Sequence, residues 1–393
     1  MPSRTPRAVA STAPRTTRRF SLDDVLARRL ATQRLTGPAL RNPASVVREL
    51  VCVQAQDAPL SRYSIGLRSG RTDAEVRAVI DAGEIVRTHI LRPTWHYVSA
   101  KDLRWILELT STKQEAGLAA RHRQLGIDEA LIDRTMDLLR ERLNGRNFAT
   151  RTELGISFAE RRLVDRGHDL FGQRVGHLLM IAEFRALICS GPMIGNDHSY
   201  ALVDDVVPRT RSMDREEAIC ELVKRFVASH GPVDIRDIVR WSRLTQAEIM
   251  GAIGRADGRI VASEVGEDTL WFVRRDRRTP TRPHRALLLS RFDEAYLTYL
   301  RSGFPRPADH PGGHAAERFA EAGGGPVICD LRDVGTWKRT VKGPVVHVSL
   351  SLARAVDADQ RDAIEAAADR LADFTGLEGR ISYADVGRTS GQV

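Results

Sequence analysis

Apolar residues recur at steps of three and four along the first eighty residues or so of the chain and then give way to extended runs. Ser21 is a suitable N-cap for a first helix, and further helices are predicted over residues 45–53 and 73–81. Residues 84–98 are predicted to be extended, with a break at Arg92-Pro93. Three helices followed by a β-ribbon is the order of a winged helix-turn-helix.

The same order of elements returns further along the chain. Residues 99–145 are predicted to be helical, and residues 172–190 combine a helix with an apolar run. The third occurrence has the clearest pattern, because two helices, a recognition helix and a wing follow one another directly. Its predicted elements are helices at 217–229, 234–241 and 245–253 and β runs at 259–265 and 269–273.

The C-terminal part of the chain has a different pattern. Residues 274–285 are basic and aperiodic and are predicted to be a linker, and strands at 327–330, 334–340 and 345–349 precede a helix at 358–375. The predicted fold class is therefore α+β and helix-rich, with about three tandem winged helix-turn-helix domains and a smaller C-terminal α+β domain. The predicted units are a disordered basic arm (1–20), winged helices at 21–110, 111–207 and 208–275, and the C-terminal domain at 276–393.

The charge balance narrows the class of partner. A net charge of +9 and a pI near 9.8 favour an anionic partner, and a nucleic acid has the required charge. Arginines far outnumber the five lysines, and arginine is well suited to phosphate contacts. A GC-rich genome explains this excess of arginine equally well. No apolar run is long enough to predict a transmembrane helix. The four cysteines are scattered without metal-ligand spacing and are predicted to be buried thiols in a reducing cytoplasm; they are Cys52, Cys189, Cys220 and Cys329.

Two uncharged amides, Gln54 and Gln56, stand two residues apart where the second predicted helix ends and a turn begins. An unpaired buried amide costs a few kcal/mol, so a glutamine pair is better placed at the edge of a cleft than inside a core. Each amide offers both a donor and an acceptor, and two of them can hold and aim one water molecule. The alternative is that both glutamines cap the preceding helix or bind phosphate passively.

Several further motifs follow in a fixed order, and together with the glutamine pair they resemble the winged-helix DNA glycosylases of the AlkZ-like family, in its Gln-x-Gln group. The resemblance implies tandem winged helices around a curved DNA-binding cleft, excision of alkylated purines and, in some members, unhooking of interstrand crosslinks. It covers roughly residues 22–350. The motifs are Gln54-Ala55-Gln56, Leu91-Arg92-Pro93-Thr94-Trp95-His96, Ser229-His230-Gly231-Pro232, Trp241-Ser242, Phe292-Asp293-Glu294 and Gly335-Thr336-Trp337.

The chemistry implied is hydrolysis of the N-glycosidic bond through an oxocarbenium-like transition state. An N7- or N3-alkylated purine is already a cationic leaving group, so the site needs only to place a water and stabilise charge. We assign the water to Gln56 and a shared or base-side role to Gln54, with the reverse order also open. Asp57 is expected to cap a helix or to stabilise a turn. No lysine stands in a Schiff-base context, which favours a monofunctional enzyme over a lyase. Nothing in the sequence matches an iron–sulfur cluster or a nucleotide-binding P-loop, and no metal or cofactor is predicted.

Candidate DNA contacts surround these glutamines in sequence and recur in the later domains. On the β-ribbon, Trp95 is expected in the core and His89 in a structural role, while Arg92, Thr94 and His96 share the polar face. Asp293 is expected to join the last domain to the others, and residues 335–339 to end a hairpin. The full set of predicted DNA-binding residues is Arg87, Arg92, Thr94, His96, Arg240, Arg243, Lys338 and Arg339.

The sequence thus predicts a monomeric enzyme of the cytoplasm, associated with the nucleoid, that acts on damaged double-stranded DNA. The principal alternative is a non-catalytic DNA-binding protein such as a transcriptional regulator. A regulator usually dimerises, whereas this chain holds several winged helices in one polypeptide. An RNA-binding module is less consistent with the sequence, because no aromatic stacking platform is evident.

Overall fold

A computed structural model describes residues 20–274, 285–299, 303–305 and 323–384 of the chain. The predicted basic arm up to residue 19, and most of the predicted linker at 274–285, lie outside these residues. Within the described ranges, none of the helices is long and apolar enough to cross a membrane.

A first winged helix follows an N-terminal helix, α1 (Leu22–Thr32), which begins with a capping box at Ser21. The three strands of this winged helix form an antiparallel sheet in the order β1-β3-β2, so β1 lies at an edge and β3 at the centre. The elements are α2 (Pro43–Glu49), β1 (Cys52–Gln54), α3 (Ala58–Ser69), α4 (Asp73–Asp81), β2 (Ile85–His89) and β3 (Trp95–Ser99).

The structure corrects the second predicted helix and adds a helix that was not predicted. Helix α2 ends at Glu49, and Val51 takes a positive φ of 71°, so the apolar run after it turns into β1 instead of continuing the helix. Gln54 therefore lies in a strand, where the prediction had a loop. The unpredicted helix is α3, which Asp57 caps by accepting a hydrogen bond from the Leu60 amide.

Two further units repeat this arrangement. Helix α5 (Leu103–Gln124) leads to a second three-stranded sheet in the order β4-β6-β5, and in the third unit an isolated bridge between Val233 and β8 occupies the place of the first strand. The second unit comprises α6 (Glu129–Leu143), β4 (Ala149–Thr150), α7 (Arg151–Glu160), α8 (Phe171–Phe184), β5 (Ile188–Ile194) and β6 (Asp197–Leu202), followed by α9 (Val203–Val206). The third comprises α10 (Arg215–His230), α11 (Ile235–Ser242), α12 (Gln246–Gly254), β7 (Ile260–Val265) and β8 (Asp268–Val273).

The C-terminal domain is a five-stranded sheet with one long helix against it. The strand order is β13-β12-β11-β10-β9, and only the β12–β13 pairing is parallel. Residues 335–339 lie in the interior of the long central strand, so the predicted hairpin end there is wrong. The elements are β9 (Ala286–Leu288), α13 (Glu294–Leu297), β10 (Gly324–Cys329), β11 (Arg332–Lys342), β12 (Val345–Leu352), α14 (Ala358–Thr375) and β13 (Glu378–Tyr383).

The first winged helix and the C-terminal domain share one hydrophobic core. Tyr63 of α3 makes edge-on ring contacts with Phe374 of α14 at 5.3 Å and with Trp337 of β11 at 6.1 Å between centroids. Apolar residues of β1 and β2 belong to the same buried cluster as the sheet of the last domain. The end of β1 is therefore held between two domains, which fixes the position of Gln54.

Candidate active site

Gln54 is the last residue of β1 and lies opposite His96 of β3 in the antiparallel ladder. Its side chain is only 9% exposed, and its Oε1 atom has no hydrogen-bond partner among the residues that the structure describes. A buried amide oxygen without a donor is costly, since it has lost its hydration without replacement. The position is thus suited to accept a hydrogen bond from a bound molecule.

Gln56 lies in the short turn between β1 and α3, with an exposed side chain that hydrogen-bonds to no other described residue. The peptide before it is held on both sides. The Ala55 amide donates to the Trp95 carbonyl at 2.7 Å, and the Ala55 carbonyl accepts from Arg87 Nε at 3.1 Å. The main chain between the two glutamines is therefore fixed, while neither glutamine caps the helix that precedes it.

Trp95 stands between Arg87 and His89. The Arg87 guanidinium lies 4.1 Å from the Trp95 ring centroid, and the His89 ring centroid lies 4.5 Å from it. His89 Nδ1 also contacts the Glu183 carboxylate of α8, which confirms the structural role predicted for this histidine. Trp95 is half-buried and packs against the core that the first winged helix shares with the last domain, as predicted, while its ring also supports Arg87 beside the glutamines.

His96 is fully buried, and its predicted contact with DNA is therefore wrong. Burial, followed by the nearby positive charge of Arg92, lowers its pKa to about 3, so the ring is neutral. Nδ1 donates to the Thr94 carbonyl at 2.9 Å, which leaves Nε2 to accept from Arg92 at 3.2 Å. The side chain of His96 thus holds Arg92 in place. Thr94 is half-buried with a buried hydroxyl that has no partner in the described part of the chain.

Arg92 belongs to a cluster of arginines that comes from two winged helices. Burial lowers the pKa of Arg92, and the positive charges of Arg240 and Arg243 lower it further. The negative charge of Glu294 raises it. The Arg240 guanidinium donates to the carbonyls of Leu297 and Thr298, so it is engaged within the protein. Arg243 is exposed at the left-handed C-cap of α11.

The remaining predicted contacts lie on the sheet of the last domain. Lys338 is exposed on β11, and Arg339 next to it is half-buried. Burial lowers the pKa of Arg339, while the charges of Asp57 and Asp73 raise it, which places this arginine near the first winged helix. Arg291 of the last domain lies 3.7 Å from Asp57, so this domain approaches the chain directly after Gln56.

Glu294 is a residue of this site that the sequence singled out only as part of the Phe292-Asp293-Glu294 motif, with no role predicted for it. Only 3% exposed, it accepts from the Gln54 amide at 3.1 Å and from the Trp241 indole at 2.9 Å. Its Oε2 atom also lies 3.6 Å from His230 Nε2. Burial raises its pKa, but His230 and then Arg92 and His96 outweigh burial and hold the pKa at about 2.

The neighbouring Asp293 confirms its predicted structural role. Its carboxylate receives two hydrogen bonds from Arg68 of α3, at 2.7 and 2.8 Å, with both side chains buried. The two adjacent acids have different partners in the first winged helix, Arg68 of α3 for Asp293 and the Gln54 amide of β1 for Glu294. The sequence signal for Glu294 was its place in the Phe292-Asp293-Glu294 motif, which does not indicate that its carboxylate meets Gln54.

Comparisons with known proteins agree with this architecture. The sequence model of the family described as DNA glycosylase AlkZ-like matches residues 47–374. Among solved structures, the chain is similar to the DNA glycosylase AlkZ of Streptomyces sahachiroi, with a TM-score of 0.73 and 19% identity. The match covers 93% of this chain and 100% of that one, and at this identity it shows the fold. No protein with a curated description matches the chain.

Proposed function

The chain belongs to the AlkZ-like DNA glycosylase family, and we propose that it hydrolyses the N-glycosidic bond of alkylated or bulky purine nucleotides with a water held by Gln54 and Gln56. The observation that supports this most directly is the state of the two amides. Gln54 has a buried acceptor without a donor, and Gln56 is exposed and unengaged by the described residues, on a main chain held by Arg87 and Trp95.

The reaction suits neutral amides because the leaving group carries the activation. An N7-alkylated purine is cationic, so breaking its bond to C1′ releases a neutral base and leaves an oxocarbenium-like sugar. The water oxygen then forms the bond to C1′, and its proton passes to solvent. Glutamine is too weak a base to remove that proton fully, so its contribution is to position the water.

The two glutamines take complementary roles in this proposal. Gln56, at the exposed end of the turn, positions the attacking water. Gln54 shares that water or accepts from the purine, since its Oε1 atom requires a donor that the described residues do not supply. No lysine is assigned to covalent chemistry, so the product is an intact abasic site.

The DNA-contacting residues belong to the same proposal. Exposed Arg243 and Lys338 are assigned to backbone phosphates, and Arg87, Arg92 and Arg339 to the positive potential around the glutamines. With three winged helices in one polypeptide, a single copy is proposed to grip double-stranded DNA around the lesion. Its place of action would be the nucleoid, in the cytoplasm.

Interstrand crosslinks through purine N7 fall within the same chemistry. Each crosslinked purine is itself a cationic N7 adduct, so hydrolysis of one glycosidic bond releases one strand from the other. We therefore extend the proposal to unhooking. A crosslinked duplex that resolves into two strands on a denaturing gel would support this extension.

The test of the main proposal is base release from duplex DNA that carries N7-methylguanine. Wild type is compared with Gln54→Ala, Gln56→Ala and the double variant, and Gln124→Ala on the exposed surface of α5 is the matched control. We expect the double variant to lose about two orders of magnitude or more in the single-turnover rate, as positioning contributions can reach that size. The control variant should match wild type, and DNA affinity should change little.

Two results would contradict the proposal. If the double variant releases base as fast as wild type, the hydrolytic site lies elsewhere. If wild type releases no base from N7-methylguanine or from bulky N7 adducts and crosslinks, yet binds DNA, the alternative of a non-catalytic DNA-binding protein is favoured.

A further inference from the structure

We propose that Glu294 is a positioning residue, whose buried carboxylate sets the end of β1 so that Gln54 and Gln56 face the substrate. This inference rests on the proposed function, because it concerns the same glutamines. It assigns to the C-terminal domain a direct part in the geometry of a site that otherwise belongs to the first winged helix.

The hydrogen bonds of Glu294 connect three parts of the chain that are far apart in sequence. Oε1 accepts from the Gln54 amide at 3.1 Å, across 240 positions of sequence. Oε2 accepts from the Trp241 indole at 2.9 Å and from the Thr298 hydroxyl at 3.2 Å. The edge strand of the first winged helix is thus tied to α11 of the third and to α13 of the last domain.

The bond to Gln54 is significant because β1 is short and lies at a sheet edge. β1 has three residues and a single strand partner, β3, so the outward-facing amide of Gln54 has no strand to donate to. Glu294 supplies the missing acceptor, and a charged acceptor binds an amide more strongly than a carbonyl does. Gln56 follows two residues later on a main chain that is also held at Ala55, so the bond to Glu294 and the two bonds of Ala55 together set the positions of both glutamines.

The surroundings of Glu294 are arranged to keep it ionised. His230 Nε2 lies 3.6 Å from Oε2, and His230 stacks on Phe226 with 4.2 Å between ring centroids. The nearby positive charge of Arg92 also favours the ionised form of the Glu294 carboxylate. A buried carboxylate held charged by these neighbours remains an acceptor at both oxygens, which a neutral side chain of the same shape does not.

This difference gives a substitution with a defined consequence. Glu294→Gln keeps the shape of the side chain but offers one oxygen and one NH₂ group. If the oxygen of the new glutamine faces the Gln54 amide, its NH₂ group faces the Trp241 indole N–H, and two donors oppose each other. In the reverse orientation the NH₂ group faces the Gln54 amide N–H, which is again two donors. Trp241→Phe removes the indole donor, so the double variant Glu294→Gln/Trp241→Phe can restore the bond to Gln54.

The experiment measures three properties of each variant: the single-turnover rate of N7-methylguanine release, the dissociation constant for the same duplex, and deuterium uptake by a peptide spanning residues 51–57. Asp333→Asn is the matched control, since Asp333 is a buried carboxylate of the last domain that accepts from Tyr296. Thermal unfolding confirms that each variant is folded at the assay temperature.

For Glu294→Gln we expect a rate at least about tenfold below wild type, consistent with the loss of one charged hydrogen bond. The dissociation constant should stay within about twofold, because no phosphate contact is lost. Deuterium uptake at residues 51–57 should rise, and adding Trp241→Phe should recover several-fold in rate. If Glu294 only stabilised the fold, adding Trp241→Phe, which leaves a cavity, would not recover the rate of base release.

The inference is overturned if Glu294→Gln slows release no more than Asp333→Asn does, or if uptake at residues 51–57 is unchanged. The Gln54→Ala/Gln56→Ala variant is measured alongside, so that failure of the positioning role of Glu294 can be told apart from failure of the proposed hydrolytic function. If that variant is inactive while Glu294→Gln is fully active, the positioning role is wrong and the proposed function stands. If no protein releases base, deuterium uptake still decides whether Glu294 holds β1.

Discussion

Arg87 shows how a residue predicted to bind DNA can instead act through the main chain. Its Nε atom donates to the Ala55 carbonyl, its amide donates to Ser190 Oγ at 2.7 Å, and its guanidinium covers Trp95. Burial lowers its pKa, yet a guanidinium stays charged throughout the physiological range. The positive charge therefore remains beside the glutamines, while one of its donors is used to hold the peptide between them.

At this scale we expect Arg87→Lys to reduce the rate of base release by about tenfold while destabilising the fold by only about 1–2 kcal/mol, since one hydrogen bond and one cation–π contact are lost. The charge is retained, so DNA affinity should change little. Arg77→Lys, which alters a half-buried contact with Asp73 away from the glutamines, is the control and should keep full activity. Loss of affinity in Arg87→Lys without loss of rate would instead show a phosphate contact.

At the level of elements, sequence patterns predicted those parts of the fold that have their own local signals. Helix α12 begins with a capping box at Thr245, and α14 matches the predicted bounds because its apolar face is continuous over 18 residues. Strand β1 had no such signal: its three buried residues continue the apolar run of α2. The predicted turn after the glutamine pair is followed directly by α3, which was not predicted; Pro59 lies in its first turn, where proline is well accommodated.

Helix α3 also contains a position where the packing of two elements can be tested. A Cβ atom on Gly66 would lie 2.5 Å from ring atoms of Phe374 in α14 and 2.9 Å from the Arg71 carbonyl. We expect Gly66→Ala to destabilise the protein by about 1–3 kcal/mol through overpacking. Gly117→Ala, at an open position on helix α5, should stabilise it by up to about 1 kcal/mol, because alanine is the better helix former.

Denaturant unfolding measures both effects. Combining Gly66→Ala with Phe374→Leu should cost less than the sum of the two single changes, because the ring atoms that meet the new methyl group are removed. Strict additivity would show that the Arg71 carbonyl, and not the ring, limits the space at this position.

At the scale of the whole molecule, buried polar contacts join domains that are distant in sequence. Arg68 meets Asp293, Gln33 donates to Tyr299 at 2.9 Å, and Arg29 donates to the Pro232 carbonyl at 2.7 Å. Residue types in one sequence do not reveal such partners, because nothing local marks which arginine faces which carboxylate. The candidate site has the same property: Gln54 and Glu294 both belong to motifs in the sequence, but nothing in the sequence showed that they are hydrogen-bonded to each other.

We expect Asp293→Asn to destabilise the protein by about 3–5 kcal/mol, because it leaves the Arg68 charge buried without compensation. Glu141→Gln, which removes the exposed pair with Arg161, should cost less than about 1 kcal/mol. Changing Arg68 to Met in the Asp293→Asn background should restore part of the loss. If Asp293→Asn and Glu141→Gln lower the free energy of unfolding equally, the buried Arg68–Asp293 pair does not stabilise the docking of the two domains.

The 240 positions between Gln54 and Glu294 have a consequence for the newly made protein. A ribosome adding roughly 5–20 residues per second needs on the order of 10–50 s to travel from one to the other. During that interval the first winged helix can fold and meet nucleic acid, while its β1 strand still lacks the carboxylate that holds it. If the proposed positioning role of Glu294 holds, a nascent chain can bind DNA before it can release a base from it, and base release begins only once the last domain has docked.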